Sequence, residues 1–182
     1  MSNRLAPVEP PFAPDIDALL ARYPRQEGYL LTLFRTFANS ARFLQRGVPN
    51  LLDKESPLAL RDREIVILRV TSNFGCEYEW GVHVAIFARA AKFSDAQVAA
   101  TRGSGPGSDV WAPREQRLIA AVDAFCREGA LAADAIDAFT EDWTTAQQLE
   151  ILALCGAYHT ISLVARLAQL PPEPFAARFP AA

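Results

Sequence analysis

Apolar positions along this chain recur at steps of three and four residues, and no segment sustains the alternation of a strand. Leu30, Leu33, Phe34, Phe37, Ala41 and Leu44 form one such stripe, which predicts a helix over 27–46 closed at Gly47. From Leu60 to Phe74 the pattern is strongly apolar and predicts a second long helix. Asn73-Phe74-Gly75 then reads as a break, and another helix is expected over 76–92. Asp15 is placed to cap a short helix that Tyr23-Pro24 stops, and Ser94 to cap a later one. Helices over 113–128, 132–142 and 145–169 complete the pattern, with Thr144 or Thr145 as the last cap and Pro171-Pro172-Glu173-Pro174 as the stop. Residues 103–108 read as a glycine-rich loop. None of the 13 prolines falls inside a central helical pattern, and four of them lie within residues 1–14. The expected fold class is therefore all-α: an extended proline-rich arm over 1–14, then a single helical domain over 15–182.

Size and charge narrow the setting. A chain of 182 residues with 51% hydrophobic content can bury one substantial core. A formal net charge of -3 gives no general electrostatic reason for nucleic acid or an anionic membrane as partner. Three cysteines without a close pair suit a reducing compartment, so the expected location is cytoplasmic. No signal peptide is visible, and the apolar runs read as too short to span a bilayer. No cofactor is expected.

Reactive residue types concentrate in Gly75-Cys76-Glu77-Tyr78-Glu79-Trp80-Gly81-Val82-His83. On a helix Cys76, Glu79 and His83 fall within roughly a 60° arc. If the chain reverses near residue 74, the helices on either side pack antiparallel. Glu64 then comes to His83, and Arg69 faces Glu79. Each residue has two readings. Cys76 is either a nucleophile whose pKa a helix start lowers, or an inert core thiol. On the first reading it is the most reactive of the three thiols. Glu79 is a proton relay or the ion-pair partner of Arg69. His83 is an acid-base group or a satisfied core histidine, and Glu64 orients it or simply complements a helix start. Tyr78 and Trp80 flank the stripe as a substrate wall. Gly81 and Gly156 mark either a helix crossing that joins His83 to His159 or unrelated small-residue contacts.

Arg63-Glu64-Ile65-Val66-Ile67-Leu68-Arg69-Val70, followed by the 75–83 segment, resembles the carboxymuconolactone decarboxylase and alkylhydroperoxidase-D-like superfamily. Within it the chain is most similar to members carrying Cys-x-Tyr-Glu-Trp-x-x-His. The resemblance extends over about 30–175 and takes in Gln148 to His159. It implies an all-helical fold in homo-oligomers, often trimers or hexamers; no metal is expected, because the spacing matches no standard zinc pattern. In the peroxidase branch a glutamate stands twelve residues before Cys-x-x-Cys-x-x-x-His, and the cysteine pair cycles through a disulfide. Glu64, Cys76 and His83 keep those positions here, but Glu79 stands where the second cysteine would be. No disulfide can form within the motif.

Four readings of the site compete. The first is a peroxiredoxin-type antioxidant oxidoreductase with Cys76 as its single thiol and Glu64 and His83 as proton relay. A thiol reductant, Cys126 or Cys155 would resolve the oxidised form. The second is acid-base chemistry on a small lactone or carbonyl acid, with His83 and Glu79 acting and Cys76 a bystander. The third is a metal site drawing on Cys76, Glu79 and His83 with His159 or Glu64. The fourth is a non-catalytic oligomer.

Overall fold

The computed structural model describes residues 5–103 and 109–180. Among them the chain forms nine helices: α1 Pro14–Leu20, α2 Thr32–Phe37, α3 Ala41–Arg46, α4 Leu60–Asn73, α5 Glu77–Phe87, α6 Asp95–Arg102, α7 Pro113–Glu128, α8 Ala133–Asp142 and α9 Thr145–Leu167. There is no strand among the described residues, only a lone bridge between Gln26 and Tyr29. The domain is all-α, as the periodicity predicts.

The centre is α4, which packs against α5, α6, α7 and α9. Every residue from Asp62 to Ser72 is buried, including four charged ones. A charge taken out of water must be paired and hydrogen-bonded to persist. Arg69 accordingly donates from Nε and Nη2 to the two carboxylate oxygens of Asp123 on α7, at 2.6 and 2.9 Å. Its Nη1 donates to the carbonyls of Thr101 and Gly103. Asp62 accepts from Arg114 at 3.1 Å. The expected pairing of Arg69 with Glu79 does not occur. Glu64 and Arg69 are five residues apart, about 140° round a helix, so only one of them can face α5.

The chain reverses where the sequence places the break. Gly75 adopts φ +60, a left-handed conformation that favours glycine. The N–H of Cys76 bonds back to Thr71 O at 2.8 Å and that of Gly75 to Ser72 O at 3.0 Å, the bonding of a Schellman stop. Cys76 is at once the residue after that stop and the N-cap of α5. Helix α5 then runs back along α4, ending at Phe87 rather than near 92.

Two other expectations change, and the N-terminal arm finds its place. The helix expected over 27–46 is two short ones, because the Ser40 hydroxyl caps a new start by accepting from Phe43 N–H at 3.2 Å. Residues 5–13 form no helix and lie on their own chain: Val8 N–H bonds Arg35 O, Asn39 donates to Ala6 O, and Glu9 pairs with Arg35. By length and composition α9 could cross a membrane, which counting uninterrupted apolar runs did not anticipate. Its inner face is core. Of the loop expected at 103–108, residues 104–108 lie outside the described residues.

After α9 the tail returns across α5. The Glu173 carboxylate, 4% exposed, accepts from Thr32 N–H at 2.6 Å, Tyr29 Oη at 2.9 Å and Tyr78 Oη. Ala177 N–H bonds Gly81 O at 3.0 Å. A Cβ at Gly81 would overlap the Ala177 carbonyl, so this glycine serves the tail and not a helix crossing. Gly81→Ala should therefore push the tail off α5 and cost about 1–3 kcal/mol. A fall in thermal midpoint, with faster tryptic cleavage after Arg178, would register it; an unchanged cleavage rate would contradict the strap.

Candidate active site

The α4–α5 reversal brings Glu64 and His83 together. Glu64, fully enclosed, accepts from His83 Nδ1 through Oε2 at 2.7 Å. Its Oε1 accepts from Arg63 Nε at 3.1 Å and lies 3.1 Å from Arg63 Nη2 as an ion pair. The other imidazole nitrogen, Nε2, lies 2.9 Å from Tyr158 Oη and 3.5 Å from Glu79 Oε1. The second Glu79 oxygen is buried with no hydrogen-bond partner. Arg63, Glu64, His83, Glu79 and Tyr158 thus form one closed polar cluster between α4, α5 and α9, in which His83 is 2% and Glu79 5% exposed.

Burial by itself would lower the His83 pKa. The Glu64 charge and hydrogen bond, joined by Glu79, outweigh it and raise the group to about 9. His83 is therefore an imidazolium at neutral pH, with an N–H aimed at Glu64 and another at Tyr158. Burial raises the Tyr158 hydroxyl well above its ordinary value, and the Glu79 and Glu64 charges add to the rise. The phenol stays protonated. With Arg63 and His83 positive and the two carboxylates negative, the cluster is neutral, which is what makes its burial tolerable.

Cys76 sits at the margin of this cluster, 1% exposed. Burial pushes its thiol above the ordinary value. The Glu79 N–H offsets this, the Glu79 carboxylate adds to it, and Ser162 and Arg166 offset it further. The pKa lowering expected from a helix start is overridden by desolvation and by the carboxylate one turn away. Burial raises Cys126 and Cys155 as well, but both are only half-buried.

The other residues singled out from sequence divide. Tyr78 spends its hydroxyl on Glu173 and on Leu33 N–H. Trp80 is enclosed and donates to Thr101 Oγ1 at 2.9 Å. Both serve the scaffold and not a substrate wall. His159 is exposed and stacks on Phe74, ring centroids 3.9 Å apart. It is Tyr158, one residue earlier, that reaches His83. The signal was in the pattern, since Tyr158 shares the inner face of α9 with Ile151, Leu154, Ile161 and Ala165. Arg63 was also missed, and no spacing marks it. Among the described residues no group of three or more His, Cys, Asp or Glu side chains is arranged to hold a metal ion.

An all-helical domain whose central hairpin carries a buried Glu-His pair defines the class. Residues 41–124, from α3 into α7, match the carboxymuconolactone decarboxylase family, and this match supports the resemblance to the alkylhydroperoxidase-D-like superfamily. Comparison with curated proteins finds no match. Tyr158 lies outside the matched segment.

Two measurements follow. A histidine whose pKa is raised from about 6.5 unfolded to about 9 folded contributes stability that is complete below the unfolded value and lost as pH rises through the folded one. Urea unfolding free energy should thus fall by on the order of 3 kcal/mol between about pH 6.5 and 9 relative to a His83→Asn variant, which flattens that step while leaving the thiols in common. Pulsed alkylation of native protein should label Cys126 before Cys76, reversing the order that the helix-start reading predicts. Faster labelling of Cys76 would show that its enclosure is transient.

Proposed function

We propose that this protein is an acid-base enzyme acting on a small lactone or carbonyl acid, with Glu79 as base and His83 with Tyr158 as acid. The observation that carries the reading is the unpartnered Glu79 oxygen beside a protonated imidazole. A buried carboxylate oxygen without a donor is costly, and a base needs a free lone pair. A proton on the carbon next to a substrate carbonyl passes to Glu79, the C–H electron pair forms a C=C bond, and the carbonyl π pair moves onto the oxygen. That oxygen takes its hydrogen bond from Tyr158 Oη–H, free to donate because Oη accepts from His83 Nε2. Glu64 holds the ring through Nδ1, and Arg63 holds Glu64. Product forms when the proton returns at another carbon. Where the substrate carries a carboxylate on the first carbon, carbon dioxide leaves in place of that proton, its C–C electron pair forms the same enolate, and the enolate then takes up a proton.

A groove of about 390 Å³ lined in part by Tyr29, Ala85, Ile86 and Phe175 lies next to the turn of α5 that follows His83. Its lining does not include the cluster, so substrate access requires movement of the strap or of α5.

The second reading is a single-thiol peroxidase, favoured by the place of Cys76 beside the same carboxylate and by its twelve-residue distance from Glu64. A thiolate at Cys76 would attack the hydroperoxide, giving a sulfenic acid and an alcohol, and a thiol reductant would restore it. On either reading the protein takes a small-molecule substrate and works as a homo-oligomer.

Deuterium exchange from heavy water into a panel of small lactone and keto acids, followed by proton NMR, separates the two. The acid-base reading expects exchange that Glu79→Gln lowers by about 100-fold or more and Cys76→Ala leaves intact. Exchange indifferent to Glu79→Gln would end it. Stoichiometric oxidation mapped to Cys76 by intact mass after a hydroperoxide, with turnover lost in Cys76→Ala, would install the peroxidase reading instead.

A further inference from the structure

Helix α9 has two unlike faces. Ile151, Leu154, Tyr158, Ile161, Ser162 and Ala165 point into the core. The outer face exposes Leu149 at 64%, Leu152 at 45%, Leu163 at 57% and Leu167 at 76%, with Ala153 and Gly156 between them also exposed. The charged residues of this 23-residue helix are Glu150 and Arg166, about 100° to either side of the leucine line. A solvated helix face normally carries its charges where the leucines stand.

We propose that this face is a two-fold contact between copies of the chain, with α9 of one protomer packed antiparallel on α9 of its partner about an axis near residue 158. The occupant follows from the strip itself, whose two halves pair off about residue 158. Leu149 and Leu167 are equally far from 158, as are Leu152 and Val164, Ala153 and Leu163, and Gly156 and Thr160. An isologous interface requires such self-complementarity, and here small residues meet larger ones near the axis. Gly156 supplies an independent reason. Glycine within a helix is less favourable than alanine, yet a Cβ there would meet nothing of its own chain. Its use is close approach by another backbone. The strip offers on the order of 500 Å² per copy, which reaches the roughly 1,000 Å² total of a specific interface. Contact there would also press on the helix whose inner face holds Tyr158 against His83, so each copy would brace its partner's cluster.

The test joins mass with cross-linking. At micromolar concentration, light scattering should give an even multiple of 20.0 kDa, and Leu163→Glu, a change at an exposed position, should halve that mass. Leu149→Cys and Leu167→Cys proteins, mixed and mildly oxidised beside wild type, should yield a covalent dimer that neither variant yields alone. A monomeric wild type, an assembly indifferent to Leu163→Glu, or cross-linking within each single variant would each overturn the proposal. So would flotation of a monomer with phosphatidylcholine vesicles that Leu163→Glu abolishes, which would assign the strip to a lipid surface.

Discussion

Everything in this domain is arranged around one helix that meets protein on every side. Enclosing α4 leaves four of its charged side chains without water, and each must find a partner of opposite sign at hydrogen-bond distance. Asp123 and Arg114 on α7 answer Arg69 and Asp62, while His83 on α5 answers Glu64. These pairs fix which helices can surround α4 and at what rotation. Removing one member of such a pair leaves a buried charge uncompensated, typically at about 3–5 kcal/mol, so the pairs act as register pins in a core whose apolar contacts are largely non-directional.

The same requirement shapes the candidate site. Glu64 is held from one side by Arg63 and passes its charge to the other as a raised histidine pKa. His83 then needs an acceptor at Nε2, and α9 brings Tyr158 to it. Each link satisfies the one before, until Glu79 is reached with an oxygen left over. A purely structural network would be expected to close that last valence. Cys76 is drawn into the same low-dielectric space, which suppresses ionisation of its thiol.

Two outer features decide how the cluster is enclosed. The tail, tied by Glu173 and by Ala177 on Gly81, lies over the face of α5 opposite α4. Helix α9 closes the remaining side and is itself left with an uncovered line of leucines. Inner and outer faces of one rigid helix move together, so whatever occupies the outer line bears on the Tyr158–His83 contact.

The sequence by itself determined what depends on neighbours in the chain. Helical periodicity, the caps at Ser94 and Thr144, and the glycine that must take a left-handed turn at 75 are local preferences, and they sufficed for the all-α class and the α4–α5 reversal. Given that reversal, spacing alone put Glu64 at His83. The partner of Arg69, the choice of Tyr158 over His159, the division of 27–46 into two helices and the enclosure of Cys76 were not legible in the same way. Each turns on which face of a helix meets which other helix. A rotation of 100° separates Tyr158 from His159 and core from solvent. Only the packed structure fixes that rotation, because it is set by the requirement that every charge buried with α4 find its partner at once.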